Sequence, residues 1–123
     1  MYVDSEDNRE FPEVAPRIRL RGQKRSDGSK LNLWASLDSG GHLHIDGQDL
    51  GPVTRSVSND GEYEYFLRVA APENPRLVRL LGGKPGDDIL GLLKRKWTGK
   101  KSFNLEELLE KGDVPVALSV YRG

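Results

Sequence analysis

The chain has 123 residues, sets 19 Lys and Arg against 19 Asp and Glu, and contains no cysteine. That length is expected to form one domain with its own core, burying roughly two-thirds of its extended surface. Without Cys there is no disulfide framework, thiol nucleophile or thiolate-held metal. Zero net charge speaks against a dedicated nucleic-acid binder, whose domain is normally strongly basic.

Residues 1–16 carry Asp4, Glu6, Asp7, Glu10 and Glu13 against Arg9, with Pro12 and Pro16, and read as a flexible acidic arm ahead of a single α+β domain over 17–123. The arm has neither the apolar run of a signal peptide nor the character of a transit peptide. No segment approaches the roughly 18 apolar residues of a membrane span, so a soluble cytoplasmic protein without membrane contact is expected. Arg17 to Arg21 alternates with period two and reads as a strand with Ile18 and Leu20 inward. Gly22 to Lys30 reads as a polar loop. Leu31 to Asp46 reads as a hairpin closed by Asp38-Ser39-Gly40, a three-residue loop with Gly at its end. Counting outward sets Ala35 opposite Leu43 and Leu33 opposite Ile45 on one face. The other face then carries Ser36 with His42, Trp34 with His44, and Asn32 with Asp46.

Residues 47–61 read mainly as connection, with Leu50, Val53 and Val57 as anchors and Asn59-Asp60-Gly61 as a turn. Glu62 to Ala70 is the next strand, placing Tyr63, Tyr65, Leu67 and Val69 on one face and Glu62, Glu64, Phe66 and Arg68 on the other. A first helix is predicted from Asn74-Pro75 to Gly82-Gly83. A second has Asp87-Asp88 in its first turn and Lys94-Arg95-Lys96 in its last, with an apolar stripe of Ile89, Leu90, Leu92, Leu93 and Trp97. A third starts at Asn104, with Glu107 completing a capping box, and stops at Gly112. Val114, Val116, Leu118 and Val120 alternate as a closing strand. The order predicts an α+β fold, an antiparallel sheet of four to five strands with two to three helices on one face.

Three constellations carry chemistry. His42, His44 and Asp46 form an H-x-H-x-D run whose imidazoles and carboxylate suit a divalent ion, and the run is similar to the opening of the amidohydrolases. Same-face residues on a strand spread by about 7 Å per pair of steps, so His42 and Asp46 stand about 13 Å apart at the backbone and share an ion only across a bend. No cofactor is predicted. Lys94, Arg95, Lys96, Lys100 and Lys101 could grip phosphates beside Trp97, though Trp97 is in register with the core stripe and the neutral chain disfavours nucleic acid. Trp34, His44, Glu62, Glu64 and Phe66 could form an amphipathic sheet face suited to protein contact. No G-x-S-x-G elbow or phosphate loop is present.

The segment Ile45 to Pro52, with Glu62 to Tyr65, Leu80-Leu81-Gly82-Gly83 and Gly86 to Leu90, resembles a group of small uncharacterised bacterial α+β proteins over residues 30–121. In size and element order the chain is also similar to small immunity proteins that neutralise toxins. Neither resemblance implies a functional residue. The absence of a catalytic signature, the blocks of alternating charge and the aromatic-acidic sheet face point to a non-enzymatic module that binds another protein, immunity or antitoxin-like, in an oligomeric state the residues leave open. The alternatives are a metal-binding protein or small metal-dependent enzyme using His42, His44 and Asp46, and a weak nucleic-acid binder through Lys94–Lys101.

Overall fold

Period-two patterning carries the chain through strands that pair in the order they are made. The structure, a computed structural model, describes residues 17–51 and 62–122. The acidic arm, Val53, Val57 and the turn at Asn59-Asp60-Gly61 lie outside the described residues. Strands β1 (Arg17–Lys24), β2 (Lys30–Leu37), β3 (Leu43–Leu50) and β4 (Glu62–Val69) are followed by a 3₁₀ turn (Ala71–Glu73). Helices α1 (Asn74–Leu80), α2 (Ile89–Lys96) and α3 (Lys101–Lys111) come next, then β5 (Ala117–Arg122). The antiparallel sheet runs β1-β2-β3-β4-β5, so the three helices are one long excursion between neighbouring strands. The α+β expectation holds, with five strands and three helices among the described residues. Among the described residues, no helix is long and apolar enough to cross a membrane.

One sheet face and the apolar stripes of the helices close a single core. The sheet supplies Leu20, Leu33, Ala35, Leu43, Ile45 and Val69, and the helices supply Leu77, Val78, Leu81, Ile89, Leu92, Leu93, Leu105 and Leu109. Burying each Leu or Ile is worth about 1.5–3 kcal/mol, which is what orients the helices. Local signals fix where two helices begin and end. Asp88 caps α2 by accepting from the Gly91 N–H, and α1 gives way to Gly82 in the left-handed region at φ +87°.

Five expectations shift. The β2–β3 register is displaced by two residues: Ala35 faces Ile45, Leu33 faces Gly47 and Trp34 faces Asp46. Asp38 causes this, because its Oδ1 accepts from the N–H groups of Gly40 (2.9 Å) and His42 (3.0 Å), closing a longer loop over Asp38–His42. An even displacement leaves every side chain on its expected face. β1 runs on to Lys24, and a bulge between Arg19 and Arg21 turns Arg21 inward. β3 likewise continues through Gly47 to Leu50. Helix α3 starts at Lys101, not Asn104: Ser102 Oγ donates to Gly99 O at 2.6 Å, and the Gly99 N–H donates to Leu20 O at 2.9 Å. These contacts with β1 outweigh the capping pattern at Asn104, and Glu107 pairs with Lys111 instead. Strand β5 opens at Ala117; Val114, expected in it, is buried in the core before the strand.

Candidate functional site

The register lines up three rows of side chains across the face the helices leave uncovered. One is Arg19, Trp34, Asp46, Phe66 and Ser119; a second is Asn32, Gln48, Glu64 and Tyr121; a third is Arg17, Ser36, His44, Arg68 and Ala117. The expected patch of Trp34, His44, Glu62, Glu64 and Phe66 therefore lies on one face. His44 stands diagonal to Trp34 instead of opposite it, as a consequence of the shifted register.

The rows are held by contacts of their own. Arg17 and Arg19 lie over the Trp34 ring at 4.4 and 5.5 Å from its centroid, where the face of the indole attracts a guanidinium. Arg68 lies 5.6 Å from the Phe66 centroid and donates to Asp46 Oδ1 at 2.8 Å. Gln48 links Asn32 (3.5 Å) to Glu64 (3.3 Å). The face is basic along β1 and acidic at Glu62 and Glu64, with Trp34 and Phe66 between.

The metal alternative's residues do not share one centre. His42 falls in the loop, where its Nδ1 accepts from the Ala71 N–H at 2.8 Å. His44 Nε2 meets Asp38 Oδ2 at 2.8 Å, and Asp46 is engaged by Arg68. Among the described residues, no group of three or more His, Asp or Glu is placed to hold an ion. Burial opposes the ionised form of Asp38, yet hydrogen bonds from His44 and the His42 and Gly40 amides hold its carboxyl below the usual range. His42, His44, Asp38 and Arg68 border a cleft of about 530 Å³ floored by Val69, Val116 and Ala117.

The basic run lies on the surface at the junction of α2 and α3. Lys94, Arg95, Lys100 and Lys101 are exposed around the end of α2 and the start of α3, and Lys96 Nζ donates to Gly82 O at 3.1 Å. Trp97 is partly buried against the core and donates through Nε1 to Leu81 O at 3.1 Å, in keeping with its place in the apolar stripe.

A second polar cluster, on the helix side of the sheet, was not expected from the sequence. Arg21, 3% exposed in its side chain, donates from Nε to Ser102 Oγ (2.7 Å) and from Nη2 to Glu106 Oε1 (3.1 Å), and stacks 3.6 Å from the Phe103 centroid. The Tyr65 hydroxyl donates to Glu106 Oε2. The Tyr65 ring lies over Gly47, where a Cβ would sit 2.1 Å from Cζ, so only glycine fits this point of β3. Burial, reinforced by the Glu106 charge, raises the Tyr65 phenol far above its ordinary value and keeps it a donor. Burial also raises Asp49, Arg21 lowers it, Glu106 raises it further, and its Oδ1 has no hydrogen-bond partner. Beyond this cluster a cleft of about 610 Å³ opens between α3 and β4–β5, lined by Asp49, Tyr65, Glu106, Leu109 and Leu118 among others. The one sequence signal was the spacing of Ser102 and Glu106, four apart on one helix face; the bulge that aims Arg21 at them has none.

Comparison of the chain with protein-family models, with curated proteins and with solved structures finds no match.

Proposed function

We propose that this chain is a non-enzymatic protein-binding module, immunity or antitoxin-like, that engages its partner through the uncovered sheet face. One observation carries the reading: Trp34 and Phe66 sit in one cross-sheet row with Arg19 and Asp46, flanked by Arg17, Arg68 and Glu64, on a face that no helix among the described residues covers. Trp, Phe, Tyr and Arg supply most binding energy at protein interfaces. Here the arginines are already held against the rings, which reduces the entropy lost when a partner docks. The partner chemistry follows from the charge pattern: a protein surface with acids to meet Arg17 and Arg19 and bases to meet Glu62 and Glu64.

The test is affinity capture from extracts of the cells that make the protein, using the wild type and a Trp34→Ser/Phe66→Ser variant. Both rings are only partly buried on this face, so the variant should keep the wild-type circular dichroism spectrum. A protein retained by the wild type and lost by the folded variant is the expected result. Equal retention of every captured protein by both would overturn the reading.

A further inference from the structure

The two edges of the sheet are built differently. β1 carries exposed Arg17, Arg19 and Lys24 and is broken by the bulge at Arg19–Arg21. Charge and irregularity of this kind keep a free edge from pairing with another chain. β5 has neither. It pairs with β4 in unbroken register from Tyr63 with Arg122 to Arg68 with Ala117, and its stretch Ala117-Leu118-Ser119-Val120-Tyr121 contains no charge and no proline. Beyond it, among the described residues, the sheet has no further strand. Four large apolar residues of the described chain are exposed, and three are on this strand: Leu118 (63%), Val120 (38%) and Tyr121 (53%), the fourth being Phe103 (38%).

We propose that β5 is a dimerisation edge, pairing antiparallel with β5 of a second copy of this chain about a two-fold axis at Ser119. The pattern on the strand selects this occupant. Centred on Ser119, Leu118 faces Val120 of the second copy on the helix side. On the other side Ala117 faces Tyr121 of the second copy, small against large. In this register apolar residues meet apolar residues and the large Tyr121 meets the small Ala117, so the strand is compatible with its own copy along its length. No like charges meet along the paired stretch, and the neutral chain adds no net repulsion between copies. Leu118 also lines the cleft beside α3, so pairing covers apolar surface as well as the open hydrogen-bonding edge. This contact uses the edge of the sheet; Ala117, Ser119 and Tyr121 end the rows of the proposed binding face, while Trp34 lies away from the paired edge.

Light scattering or sedimentation equilibrium at about 100 µM, where micromolar contacts are populated, reads the result directly. The wild type should run at twice the 13.7 kDa chain mass. Leu118→Lys/Val120→Lys sets like charges opposite each other across the axis and should give the monomer mass with an unchanged far-UV spectrum. Trp34→Ser should remain dimeric. The absence of cysteine allows a register test that does not depend on that double variant folding. At Ser119 the paired Cα atoms would be about 4.5–5.5 Å apart, within disulfide range. A Ser119→Cys chain should therefore oxidise to a covalent dimer much faster than Ser39→Cys at the hairpin tip. A monomeric wild type, a dimer that survives the double lysine variant, or equal oxidation rates at 119 and 39 would each overturn the proposal.

Discussion

Arg21 shows how much one misdirected side chain can organise. It is the most deeply placed charge described, and its guanidinium is satisfied from three sides by Ser102, Glu106 and the Phe103 ring. Breaking a buried pair from one side strands the other partner, which costs about 3–5 kcal/mol, whereas replacing both ends by neutral groups of similar volume can be nearly free. Arg21→Ala should therefore lower stability by about that amount in urea denaturation. Arg21→Met combined with Glu106→Gln should recover most of it. If the double variant were as weak as Arg21→Ala, the cost would lie in packing against Phe103 and not in the stranded carboxylate. Gly47 is the companion case. A methyl there meets the Tyr65 ring head-on, and overpacking of this kind costs about 1–3 kcal/mol. Gly47→Ala should lose that much, and Gly47→Ala with Tyr65→Leu should lose less.

At the scale of elements, what was legible had a local cause. The apolar stripe of α2, its basic last turn and the two faces of β4 are periodic or terminal signals, and the structure keeps them, while Asp88, expected in the first turn of α2, caps it instead. Leu93 is fully buried, so Leu93→Ala should cost about 2–5 kcal/mol, and Asp88→Ala about 1 kcal/mol through the lost Gly91 cap. A negligible effect at Leu93, read by thermal or urea melting, would mean that α2 presents another face to the sheet. What was not legible depends on distant partners. The start of α3 is set by Gly99 and Ser102 meeting β1, about eighty positions away in sequence. The β2–β3 register is set by one aspartate gathering two amides in place of the expected glycine turn. The sheet face of Trp34, Glu62, Glu64 and Phe66 was readable because an even displacement cannot move a residue to the other side. The Arg21–Glu106–Tyr65 cluster was not, because a bulge reverses the alternation on which any such reading depends.

For the molecule as a whole, these placements set two opposing dependences on pH. Asp38 has a lowered pKa in the folded chain, held down by His44 and two amides against the effect of burial. Its contribution is thus present above the unfolded carboxyl value near about 3.9 and is lost as pH falls through the folded value. Asp49 has the opposite sign. Burial raises its pKa, so the folded chain binds the proton more tightly than the unfolded one, and Asp49 costs stability as pH rises above about 3.9 through the folded value. At neutral pH the chain keeps a half-buried carboxylate with one oxygen unpaired, a burden that protonation relieves. Asp49→Asn should therefore raise the melting temperature at pH 7 by a few degrees, the shift expected from about 1 kcal/mol. Near pH 3 the variant and wild type should converge, so acidification from pH 6 to 3 destabilises Asp49→Asn more steeply than wild type. Asp38→Asn should start lower at pH 6 and fall less over the same range. Parallel wild-type and Asp49→Asn curves would show that the carboxyl titrates alike folded and unfolded, and that the floor of the cleft beside Tyr65 and Glu106 is wetter than its geometry implies.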